Sequence, residues 1–161
     1  MTQQTVDLDG TSVEVTGETS ADGTWHGRGQ IDSPPWANID SWIFSKLGFH
    51  VPTVFTSLPL DVLVLDLTIP KSGPKAYEVS LTVTLHPDAP TVTALITLSY
   101  TEGSSTGGGF TAGAQLIVDD ADDRYIVTGG LTTATDGRVT LQAAWQDDDG
   151  ISLNRLLHLA P

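Results

Sequence analysis

The chain of 161 residues carries 20 acidic against 7 basic side chains, a formal charge of −13, and no cysteine. At that length one domain, or one domain with part of a second, buries roughly 70% of the surface its unfolded chain exposes, so a core forms without cross-links. The charge argues against nucleic acid and anionic membranes as partners, since both are bound through Lys and Arg, and the missing cysteines exclude disulfides and thiolate metal sites. The plainer use of so acidic a surface is to keep a β-rich chain soluble.

Met1 to Gly10 has neither a basic cluster nor an apolar run. It reads as a flexible N-terminus and not as a signal peptide. A Trp-bearing strand over Gly23 to Gln30 follows, and then Pro34-Pro35 opens a short helix over 36–47 that stops at Gly48. Proline before the first turn, Asn38 or Asp40 as a cap, and glycine at the end are helix punctuation. Leu58 to Leu67, the longest apolar stretch, is interrupted by Asp61 and Asp66 and is too short to span a bilayer.

From residue 60 onward a period of two dominates. Leu63, Leu65 and Leu67 share a face; so do Tyr77, Val79, Leu81, Val83 and Leu85, with Glu78, Ser80, Thr82 and Thr84 opposite. Val92, Ala94, Ile96, Leu98 and Tyr100 repeat the pattern, and Val139, Leu141, Ala143 and Trp145 close it. Segments near 109–118 and 124–133 fit less cleanly but are bounded by turn chemistry, which makes about six strands of roughly ten residues. Turns such as Pro70 to Pro74, His86 to Pro90 and Ala134 to Gly137 are short. Short links favour an antiparallel meander over parallel crossovers, and one Thr-rich face against one apolar face is the pattern of a sheet with one wet side. A second short helix is expected over Ser152 to Leu159, where Leu153, Leu156 and Leu157 form one stripe.

The two helices sit in similar contexts, each after a Trp-bearing strand, with Trp25 matching Trp145 and Ser41 matching Ser152. That arrangement predicts an internal repeat, with the chain expected to be part of a longer array. The cadence of Trp145, Ile151 to Leu157, Leu47-Gly48 and Leu58-Pro-Leu60 resembles very large bacterial proteins built of tandem β-rich repeats. The resemblance implies a modular β protein and carries over no catalytic residue.

Catalytic chemistry finds little footing. Ser104 and Ser105 lie in a Gly-rich run followed by Phe110 and another strand, whereas a nucleophile elbow or a phosphate loop needs a helix there. His26, His50, His86 and His158 lack metal-ligand spacing. Asp119, Asp120, Asp122 and Asp123 are chemically suited to calcium, as is the cluster Asp147 to Asp149. Aspartate is also a good turn residue, which accounts for most of these positions without a metal. The four tryptophans gather at strand-to-helix junctions, where packing of a helix on its sheet explains them better than sugar stacking.

The expectation is therefore a mainly β fold: an antiparallel meander of about 6–8 strands, open or curled to a half-barrel, with helix 36–47 on its apolar face and a second short C-terminal helix. Residues 1–10 form the flexible end, 11–146 the β-rich repeat module, and 147–161 the start of a following repeat or a C-terminal helix. The function expected is non-catalytic, a scaffold or spacer whose partners are neighbouring repeats or another protein. No cofactor, nucleic acid or membrane insertion is expected. The alternative is a carrier of a hydrophobic small molecule, a lipid or acyl chain held in the sheet concavity by Leu65, Leu81, Val83, Ile96, Leu98 and Leu141.

Overall fold

The computed structural model describes residues 1–48, 50–51, 53–88, 91–103, 110–120, 123–133 and 139–146. In chain order they form β1 (Thr2–Leu8), β2 (Thr11–Thr19), β3 (Trp25–Asp32), α1 (Trp36–Leu47), α2 (Thr53–Thr56), β4 (Val62–Ile69), β5 (Ala76–His86), β6 (Thr91–Thr101), β7 (Phe110–Asp120), β8 (Asp123–Thr133) and β9 (Val139–Gln146). Among the described residues the strands make one mainly β meander, an open nine-stranded sheet ordered β1 to β9, with each strand antiparallel to the next. Strands β4 to β9 are where alternation and turn chemistry put them, the turn at 70–74 is where its prolines and glycine put it, and α1 has the expected bounds. The C-terminal helix expected over 152–159 lies outside the described residues.

Two expectations are corrected. Residues 1–10 are not a loose end: Thr2 to Leu8 is β1, laddered to β2 from Thr2↔Gly17 to Leu8↔Thr11. Its sequence hides this because Thr2 to Thr5 are exposed and polar, and only Val6 and Leu8 turn to the core. Pairing with β2 supplies the order that local pattern does not. The hairpin turns on Asp9 (φ 50) and Gly10 (φ 100), the two successive positive angles that a tight two-residue hairpin demands. Asp7 steadies it by accepting the Gly10 N–H at 2.6 Å.

The second correction concerns the start of α1. Pro35 is the N-cap, with no side-chain cap bond, and Trp36 is the first helical residue. Asn38 and Asp40, expected as caps, instead hold α1 to its neighbours. Asn38 Nδ2 donates to Thr11 Oγ1 at 3.0 Å, and Asp40 Oδ1 accepts the Val51 N–H at 2.7 Å. The helix ends at Gly48, whose φ of 78 suits glycine and whose N–H donates to the Phe44 carbonyl at 2.9 Å.

The core lies between α1 and the inner face of the sheet. Ile39, Trp42 and Ile43 sit at helical spacing on one side of α1 and are buried. With them are Leu8, Val13 and Val15 from the first hairpin, Leu63, Leu65 and Leu67 from β4, Val79, Leu81 and Val83 from β5, and Ala94, Ile96 and Leu98 from β6. The opposite face is wet: Leu81 and Ile96 are enclosed while Thr82 and Thr97 are only half-buried. Trp25 lies over Gly27 and donates its Nε1–H to Thr2 Oγ1 at 2.7 Å, tying β3 to β1 across β2. Trp36 caps the other side by donating to the Leu58 carbonyl at 2.7 Å.

Candidate functional site

Five of the residues suited to an apolar ligand, Leu65, Leu81, Val83, Ile96 and Leu98, are brought together by strand register. Leu65 faces Val79 and Leu81 lies between Leu63 and Ile96, while Val83 faces Ala94 and Leu98 faces Val79. All five belong to the cluster that also contains Ile39, Trp42 and Ile43 of α1. Their apolar surface is thus buried against the protein's own side chains. Leu141 lies opposite Leu131 in the β8–β9 ladder; its side chain is outside the described residues.

Of the four acidic candidates, Asp119 has a described side-chain partner. Asp119 accepts from Arg124 Nε at 2.6 Å and from a terminal guanidinium nitrogen at 3.2 Å, a forked pair that occupies both carboxylate oxygens. The Arg124 guanidinium holds the Asp119 carboxyl below the usual carboxylate range. Asp120 and Asp123 close the β7–β8 ladder through their backbones, and Asp122 lies outside the described residues, as do Asp147 to Asp149. Among the described residues no group of His, Cys, Asp or Glu could hold a metal ion.

Two features escaped the sequence pattern because they join residues far apart in the chain. One is a groove of about 250 Å³ between β1 and the end of α1, lined by Gln4, Asp7, Trp42, Lys46, Lys75 and Tyr77 among others. Its back wall is aromatic: Trp42 meets Tyr77 edge-on at 6.2 Å, and Tyr77 stacks on Tyr100 at 6.2 Å. The Tyr77 hydroxyl donates to Glu102 Oε1 at 2.8 Å. Burial, and then that carboxylate, push the phenol well above its ordinary value. The phenol therefore acts as a hydrogen-bond donor and a packing surface, not as a base.

The other feature is a latch after α1. His50 Nδ1 sits 2.8 Å from Asp40 Oδ2, and its ring lies flat on Phe44 with centroids 4.2 Å apart. With the Val51 N–H on the other carboxylate oxygen, Asp40 fixes the chain as it turns back to the sheet. A polar dent of about 360 Å³ lies on the wet face, where Glu18, His26, Arg28 and Asp66 meet. Arg28 and Asp66 pair there at 3.6 Å, with Arg28 well exposed, so the pair contributes little.

Comparison with protein-family models, curated proteins and solved structures finds no match to this chain. No helix among the described residues is long and apolar enough to cross a membrane.

Proposed function

We propose that the chain is a non-catalytic structural or interaction module of a repetitive protein, acting as a scaffold or spacer whose units join edge to edge. The observation that carries this reading is the open sheet, in which, among the described residues, β1 and β9 are the outer strands. Each edge strand offers a row of backbone N–H and C=O groups to another chain or unit. The filled inner face supports the same reading, because Leu81, Val83 and Ile96 are already buried in the protein's own core cluster and leave little apolar surface for a carried ligand. In an array each unit covers its neighbour's edge, and the product is reach and spacing.

Sedimentation equilibrium over a rising concentration series tests it. The chain is expected to self-associate weakly, and Thr5→Lys, at an exposed position of β1, is expected to abolish association, since an edge lysine discourages strand addition. A chain that stays monomeric throughout, or that binds a fluorescent fatty acid one to one after delipidation, overturns the proposal, the latter in favour of a carrier.

A further inference from the structure

The groove beside β1 is walled by backbone on one side. Gln4, Thr5, Val6 and Asp7 all line it, although successive side chains of a strand point to opposite faces. Neighbours in a row share one wall only when the strand presents its edge. No β2 residue is among the described lining, so the edge is the one turned away from β2. Among the described residues the backbone of Gln4 to Asp7 ladders to β2 alone, which leaves its outward N–H and C=O groups facing the groove. β1 has no proline, no bulge in its ladder and no charged side chain before Asp7, so it lacks the usual blocks to strand addition.

The facing wall is cationic. Trp42 and Lys46 stand one turn apart on α1, and Lys75 and Tyr77 are two residues apart at the start of β5, so each pair shares a face. The Lys75 carbonyl accepts the Glu102 N–H at 2.8 Å, which fixes the backbone there. Both lysines are exposed, and neither is within ion-pair distance of a carboxylate among the described residues. Asp7, the acidic residue of the lining, accepts the Gly10 N–H, and Glu102, behind Tyr77, accepts the phenol. Two of the chain's seven basic residues thus meet at one slot in a chain of net charge −13. Exposed charges further off than roughly 8 Å are screened at physiological ionic strength, so the lysine pair sets the local sign.

We propose that this groove takes up an extended acidic peptide segment of a partner protein, added as a strand to the β1 edge with its carboxylates toward Lys46 and Lys75. The lined stretch of β1 spans about 13 Å, which matches a run of about four extended residues at roughly 3.3 Å each. Backbone pairing supplies the affinity, and the lysines select the sequence. The proposal rests on the open β1 edge, as the modular reading does, but it needs no second copy of the chain. Self-association can therefore fail while the peptide binds.

Fluorescence anisotropy tests this with the full chain, at concentrations where sedimentation finds it monomeric, and a labelled peptide of alternating Asp and Val. The peptide is expected to bind, and its counterpart with Lys for Asp is expected not to. N-methylation throughout the peptide backbone keeps the charge but removes the hydrogen bonds, and is expected to weaken binding at least about tenfold. Lys75→Glu is expected to weaken it about threefold or more, whereas Lys71→Glu, the same charge change outside the groove lining, leaves it within about twofold. Bound peptide is also expected to slow amide exchange at Gln4 to Asp7. No binding, equal loss in both lysine variants, or full binding by the Lys or N-methylated peptide overturns the proposal. Protection of Gln4 to Asp7 that grows with protein concentration in the absence of peptide also overturns it, and assigns the groove to a second copy.

Discussion

Replacing Gly27 by alanine is expected to cost far more than the added methyl group suggests. A Cβ built at Gly27 runs into Cη2 of Trp25 and stands 2.6 Å from Cζ3 and 2.8 Å from Cζ2, whereas carbons rest at roughly 3.5–4.0 Å. The indole is only 7% exposed, so it has no free space into which to retreat. It must lift off the sheet and break its 2.7 Å bond to Thr2, the tie that holds β1 across β2. Overpacking costs about 1–3 kcal/mol and the lost hydrogen bond about 0.5–1.5 kcal/mol, so about 2–4 kcal/mol together. With a urea slope of roughly 1–3 kcal/mol per molar, the unfolding midpoint falls by about 0.7–4 M at unchanged slope. A double-mutant cycle isolates the cause: in a Trp25→Ala background the same change should cost nearly nothing, because the ring it strikes is gone. Equal cost in both backgrounds would refute the reasoning.

Asp61→Ala is expected to cost about 2 kcal/mol, because its Oδ2 accepts both the Thr84 N–H and the Thr84 hydroxyl at 2.7 Å beside the irregularity in the β5–β6 ladder. Chemical denaturation reads the loss, and amide exchange should accelerate first at Thr84. Ile43→Ala, which empties a fully buried position on α1, should cost about 2–5 kcal/mol by the same assay, whereas Ser41→Ala, which removes only a surface bond to Asp9, should cost under about 1 kcal/mol. The pH dependence has a definite sign. Arg124 depresses the Asp119 carboxyl, so its contribution is complete above the ordinary carboxylate value and is lost as pH falls through the lowered one. Asp119→Asn should therefore flatten the stability profile below about pH 4 and leave the slope near neutrality unchanged; a profile identical to that of the parent chain would count against this account.

Much of the sheet was legible in the residues alone, for a simple reason. Where one face of a strand is buried and the other wet, the demand for alternation is written at every second position, as in Tyr77 to Leu85 and Val92 to Tyr100. The same logic marked α1, whose prolines and glycine bracket a stripe at helical spacing. β1 and β2 were harder to read. β1 carries polar residues on both faces near its start, and the inner face of β2–β3 is interrupted by Gly17, Gly27 and Gly29, which leave room for Trp25 and its neighbours instead of contributing apolar side chains. Pairing orders these strands, and pairing is a tertiary fact.

The roles of individual side chains divide along the same line. Composition and periodicity alone determined that this acidic, cysteine-free chain makes a one-sided antiparallel sheet with a short helix, because burial of one face is a local, repeating constraint. Only the folded structure decided which groups meet across the chain. It set Asn38 against Thr11 and Tyr77 beside Trp42 and Glu102, and it enclosed Leu81 and Ile96 in one cluster with residues of α1. It also set Thr19 against Trp25 and Thr133 against Val139, since a ladder counts partners, and no run of residues read singly records which partner it has.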